Sequence, residues 1–134
     1  MFIQEVGAMR LVVSNRSSVP LYEQIKGQVK DAVLAGELSP DDLLPSVRQL
    51  ARDLRISVIT TTRAYRDLEA EGLVVGVQGK GYYVVEQDAQ LLRENTLRRI
   101  EDGLGRAIEA ARAGGVSQAE LIEMLEVLYR EDAP

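Results

Sequence analysis

The 134-residue sequence predicts a mostly α-helical chain with one small β-hairpin. Apolar residues recur at spacings of three and four through most of its length, the period of a helix with one buried face. Two Ser-x-x-Gln/Glu patterns, at Ser46–Gln49 and Ser117–Glu120, mark helix starts. Only between residues 73 and 85 does the pattern change to short β-branched and aromatic runs around glycines.

In chain order, Met9-Arg10-Leu11-Val12-Val13 reads as a short strand. Met9 is a second candidate initiator, with residues 1–8 as an extension ahead of it. Val19-Pro20 opens the first helix, since proline in a first turn gives up an N–H that has no partner there anyway. Its buried stripe is Leu21, Tyr22, Ile25, Val29, Val33 and Leu34, and Gly36 ends it. Residues 37–45 form a loop. Ser46 then caps a second helix that buries Val47, Leu50, Ala51 and Leu54. After Arg55-Ile56, Ser57 caps a third helix reaching Glu71, and Gly72 stops it. Two short helices joined by so tight a turn have the spacing of a helix-turn-helix.

The third helix turns Thr61, Ala64, Tyr65 and Leu68 inward, which leaves Ser57, Thr60, Thr62, Arg63 and Arg66 for its other surfaces. Three successive threonines are poor helix formers, because β-branching restricts χ1 and the hydroxyls compete for backbone bonds. On a helix that meets nucleic acid the same groups are useful: hydroxyls bond phosphate oxygens or bases, and methyls touch thymine. The alternative is an ordinary solvated helix surface. Beyond Gly72, the strands Leu73-Val74-Val75 and Tyr82-Tyr83-Val84-Val85 flank Gly76-Val77-Gln78-Gly79-Lys80-Gly81. Lys80, between two glycines, places a cation on a thin ribbon, a wing able to straddle a DNA backbone.

From about Ala89 to Ala113 the chain is helical again, with Leu97, Ile100, Leu104, Ile108 and Ala111 on one stripe; Gly103 and Gly105 interrupt it at a cost to the helix, marking a kink, a close helix crossing or simply an exposed side. Gly114-Gly115 breaks this helix, and a last one follows with Leu121, Met124, Leu125 and Leu128. Two amphipathic helices cannot bury both stripes by themselves, so the cover is either the first domain or, as expected here, a second copy of the chain. The architecture read from the residues is a winged helix-turn-helix followed by a short C-terminal helical hairpin for dimerisation. Its segments are an N-terminal extension with a short strand (1–18), a DNA-binding domain (19–86) and a dimerisation domain (87–134).

Composition removes most other chemistry. The chain has no cysteine and no histidine, so it offers no disulfides, thiolate metal sites or serine–histidine triad. No Asp-rich calcium loop, P-loop or dinucleotide fingerprint occurs, and an enzyme, a metal or a cofactor is not expected. There is neither a long apolar span nor a signal-peptide pattern, so no membrane partner and a cytoplasmic location are expected. The net charge of −5 is unevenly spread. Residues 87–134 carry six arginines against ten acids, whereas residues 48–80 carry six cations against four acids. An acidic protein can bind DNA through one positive face.

Five stretches together resemble a known pattern: Pro20-Leu21-Tyr22-Glu23-Gln24-Ile25, Leu44-Pro45-Ser46-Val47-Arg48-Gln49-Leu50-Ala51, Thr60-Thr61-Thr62-Arg63-Ala64-Tyr65, Leu68-Glu69-Ala70-Glu71-Gly72-Leu73 and Gly79-Lys80-Gly81. In order and spacing they resemble the winged helix-turn-helix of the GntR family of bacterial transcription regulators. The first of them, with the short helical tail, is similar to the YtrA subfamily. The resemblance implies a homodimer that binds a palindromic double-stranded operator, mostly as a repressor. It places DNA contacts at Arg48, at Ser57, Thr60, Thr62 and Arg63 on the recognition helix, and at Gln78, Gly79 and Lys80 on the wing tip. The sequence departs at Val58-Ile59, where members often carry a polar or basic residue, and at Asp41-Asp42, where a Pro-Gly turn is common. A tail without histidine or lysine excludes the large effector domains of other branches, and leaves room only for an unidentified small-molecule effector among its helices. The rival reading is a winged-helix module that binds protein and not DNA, which the net acidity favours.

Overall fold

The computed structural model describes the main chain over residues 2–6 and 9–131, and side chains from Arg10 onward. Two strands, β1 (Phe2–Val6) and β2 (Met9–Val13), pair antiparallel with Phe2 opposite Val13 and Val6 opposite Met9. Sequence reading finds β2 alone. Residues 2–6 carry too little alternation to announce a strand, and gain one by pairing.

On its other side β2 is held by side chains. Gln28 on α1 (Leu21–Leu34) accepts from the N–H of Val12 at 2.9 Å and donates to the carbonyl of the same residue at 2.7 Å. Gln24 does the same for Ser14, at 2.9 Å in both directions, and also donates to the Val19 carbonyl at 2.8 Å. A primary amide offers a carbonyl and an N–H side by side, so each glutamine stands in for one residue of a neighbouring strand. This fixes α1 against β2, whose Leu11 and Val13 are buried. Pro20 precedes α1 in extended conformation and its carbonyl accepts from Gln24 N–H, while Gly36 follows the C-cap with φ of 79°, as the sequence predicts.

Helix α2 (Val47–Leu54) and helix α3 (Val58–Ala70) follow, each capped by serine. Ser46 Oγ accepts from the N–H of Gln49 at 3.0 Å, and Ser57 Oγ from that of Thr60 at 3.0 Å. The turn between them passes through Arg55 in the left-handed region, φ 55° and ψ 48°. The inward stripe of α3 is Thr61, Ala64, Tyr65 and Leu68, the set that helical spacing predicts. These side chains meet Ile25 and Val29 of α1 and Leu50 and Leu54 of α2 in one buried core.

The hairpin is longer in strand and shorter in loop than expected. β3 (Val74–Val77) and β4 (Gly81–Val84) pair with Val77 opposite Gly81, so Gly76 and Val77 belong to strand and only Gln78, Gly79 and Lys80 form the tip. The segment assigned to loop before α2 joins this hairpin. Asp41 N–H donates to Val84 O, Val84 N–H to Asp42 O and Leu44 N–H to Tyr82 O. Asp41 takes φ of 71° to do so, and Asp42 Oδ2 accepts the N–H of Ser39 at 2.8 Å. An edge of β4 that would otherwise stay unpaired is thereby satisfied.

The chain divides into two compact units, Met1–Asn95 and Thr96–Pro134, with the boundary inside α4 (Ala89–Gly114). As expected of a helix from about Ala89 to Ala113, α4 runs continuously through Gly103 and Gly105. Helix propagation tolerates single glycines at a modest cost when the flanking residues are good helix formers. Gly115 ends the helix with φ of 72°, and Ser117 Oγ accepts from Glu120 N–H at 3.1 Å to start α5 (Gln118–Glu131). Within this unit only Ala111 is buried, and α5 buries no residue at all. The two stripes therefore do not close on each other as a self-contained hairpin.

Glu71, at the C-cap of α3, takes Lys26 and Lys30 of α1 on its two oxygens, each at 3.0 Å. The hydrogen bonds from Lys26 and then Lys30 hold its carboxyl below the ordinary carboxylate value. A folded-state value below the unfolded one contributes stability above the ordinary range and loses it as pH falls through the lowered value. Urea unfolding should find Glu71→Gln less stable than wild type at neutral pH, with the two converging in acid. Parallel curves at every pH would contradict the pairing.

Candidate nucleic-acid interface

The short α2, fixed at its start by Ser46, carries Arg48 exposed one residue into the helix. A groove lined by Ser46, Glu69, Gln78, Gly79, Lys80 and Tyr82 brings the entrance of α2, the last turn of α3 and the wing tip to one side of the molecule. Gln78, Gly79 and Lys80 are all exposed there. Gly79 has φ of 80°, a conformation a side chain rarely adopts, and the Lys80 N–H closes the turn on Val77 O at 2.9 Å.

What fixes the wing to α3 is a carboxylate. Glu69 Oε2 accepts the N–H of Gly76 at 2.6 Å. A Cβ at Gly76 would come within 3.2 Å of both that oxygen and the ring of Tyr82, so the absence of a side chain lets the strand lie this close. Beneath them, the Tyr65 ring meets Tyr82 edge to face, with centroids 5.1 Å apart. The Tyr65 hydroxyl donates to the Pro45 carbonyl at 2.8 Å. Burial pushes that hydroxyl's pKa up, which favours the protonated form that donates.

Helix α3 presents Ser57, Thr60, Thr62 and Arg63 outside the core, as predicted, but uses them differently. The Ser57 hydroxyl donates to Thr60 Oγ1 at 2.9 Å, and Thr62 donates back to the Val58 carbonyl at 2.7 Å. Thr61 is fully buried and donates to Ser57 O at 3.2 Å. Arg63 lies over the ring of Tyr22 on α1, its guanidinium carbon 3.6 Å from the centroid. That stack orients the guanidinium while leaving the side chain exposed. Sequence reading assigns Tyr22 and Tyr65 to packing alone and gives Glu69 no role. Their positions relative to Arg63, Gly76 and Pro45 become visible only in three dimensions.

The apolar residues expected at a dimer interface lie in the second unit. Leu97, Ile100, Leu104, Ile108, Met124, Leu125 and Leu128 are exposed, and Leu121 is half-buried. Among the described residues there is no group of three or more acidic side chains able to hold a metal. No helix among them is long and apolar enough to cross a membrane.

A capped helix pair with a tight turn, followed by a two-stranded wing, is the winged helix-turn-helix of DNA-binding proteins. Residues 21–84 match the family described as bacterial regulatory proteins, gntR family. The chain is 37% identical over 114 residues to the HTH-type transcriptional repressor YtrA of Bacillus subtilis, covering 85% of this chain and 88% of that one. Its structure is similar to that of YtrA from Sulfolobus acidocaldarius, a GntR-family transcription factor, with 35% identity, a TM-score of 0.54, and coverage of 74% of this chain and 97% of the other. It is also similar to the DNA-binding domain of AraR in complex with operator ORX1, with 28% identity, a TM-score of 0.50, and coverage of 55% and 93%. The chain belongs to the GntR family, and is a DNA-binding transcriptional regulator.

Replacing Tyr65 by Phe deletes the bond to Pro45 and leaves that carbonyl without its partner. Chemical unfolding should show a loss of about 1–3 kcal/mol. A variant as stable as wild type would mean that the hydroxyl does not fix the entrance of α2.

Proposed function

We propose that the protein is a homodimeric repressor of a palindromic operator. The recognition helix α3 enters the major groove, Arg48 reads or clamps DNA beside it, and the wing meets the flanking backbone through Lys80. Residues 19–86 act as the DNA-binding domain and residues 87–134 as the dimerisation domain. The observation that carries the reading is the groove shared by Ser46 and the Gln78-Gly79-Lys80 tip, which sets a cationic wing beside the start of the helix pair. The exposed apolar stripes of α4 and α5 support pairing with a second copy, since such a surface costs free energy when left in water. The repressor assignment follows the likeness to Bacillus subtilis YtrA, described as a repressor.

Fluorescence anisotropy with a duplex from the promoter upstream of the protein's own gene tests the DNA contacts. Arg48→Ala is expected to weaken binding by about 1–3 kcal/mol through loss of a base contact. Lys80→Ala should weaken all sequences alike and lower the salt slope by about one, the signature of one lost phosphate contact. Unchanged affinity and slope in both variants would refute these assignments. Leu104→Glu should sediment as a monomer. It should also lose about a hundredfold or more in operator affinity, because two linked half-site contacts become one. A Leu104→Glu dimer with wild-type affinity would exclude this stripe as the interface.

A further inference from the structure

Among the described residues of the first unit, the most exposed large apolar side chain stands on α3. Ile59 is 82% exposed, on the first turn of α3, beside Val58 at 43%. Both lie beside hydroxyls, three of which donate their protons within the protein. The protons of Ser57, Thr61 and Thr62 go to Thr60 Oγ1, Ser57 O and Val58 O respectively. The surface that the start of α3 offers a partner is therefore apolar at its most prominent point.

The major groove presents one apolar group large enough to pack a side chain against, the C5 methyl of thymine; the other groups by which bases are told apart there are donors, acceptors and small C–H edges. Residues at the N-terminal end of a recognition helix are those that reach base edges. An exposed isoleucine at that place has little to gain from a donor or acceptor and would bury one without compensation. We infer that Ile59 is a specificity-determining residue that packs on the C5 methyl of a thymine in the operator. The inference rests on the proposal that α3 enters the major groove, and goes beyond it by naming the base group that is read.

The test uses the full chain and duplexes selected by the wild-type protein from a randomised pool. Each thymine of the selected duplex is replaced in turn by deoxyuridine, which removes the methyl and keeps every hydrogen-bonding group. At one thymine of the recognised half-site, wild-type affinity should fall about fourfold, the worth of one buried methyl group. Ile59→Ala should bind the thymine and uridine duplexes equally at that position, and still show the wild-type response to uridine elsewhere. Because the first comparison alters only the DNA, it does not depend on how the variant folds.

Equal wild-type binding to thymine and uridine duplexes at every position would overturn the assignment. So would a fourfold loss that Ile59→Ala retains in full, since the methyl would then be read by another residue or through duplex shape. In either case an intact salt-slope response in Lys80→Ala would leave the DNA-binding mode standing. Selection of no sequence by the wild-type protein would instead defeat the major-groove reading, and the thymine assignment with it.

Discussion

One buried side chain joins the two helices of the helix-turn-helix to the wing. Tyr65 projects inward from α3, donates its hydroxyl to the carbonyl of Pro45 at the entrance of α2, and sets its ring edge-on against Tyr82 of the wing. It is 1% exposed. A phenol buried this far must find an acceptor, and an acceptor on the backbone just ahead of a helix cap leaves that helix little freedom to shift. The angle between α2 and α3, and the lean of the wing over both, thus depend on a single satisfied donor and a single aromatic contact.

Around this centre the remaining attachments are short and polar. Glu69 holds the Gly76 N–H, the loop before α2 lends backbone to β4, and Gln24 and Gln28 hold β2 as a strand would. Each replaces a backbone group's missing partner with a side-chain or loop atom, the glutamines for β2 and the other two for the wing. An isolated two-stranded ribbon is marginal in water; the bond to Glu69 and the pairing with residues 41–44 fix this one to the helices. Rigidity of this kind matters to a DNA reader, because contacts separated by a groove width bind together only if the frame between them does not yield.

The recognition surface follows a different logic. Hydroxyl groups that look available for phosphates are turned back on the helix that carries them, and the arginine nearest them rests on Tyr22. Long, flexible cations lose conformational freedom on binding, and one already stacked loses less. The apolar stripes of α4 and α5 complete the contrast: the first unit satisfies itself, while the second leaves its stripes in solvent.

Much of this was legible in the sequence, because local chemistry decides it. The serine caps at Ser46 and Ser57, the inward stripe of α3 and the stop at Gly72 all depend on neighbours within one or two helical turns. The exposed stripe from Leu97 to Ile108 was equally plain from its spacing. Tertiary structure alone decided that Tyr65 donates to Pro45, that Glu69 accepts from Gly76 and that residues 41–44 belong with the wing. In each of these the partner lies far along the chain or on another element, and a hydrogen bond closed across such a distance leaves no periodic trace in the residues that make it.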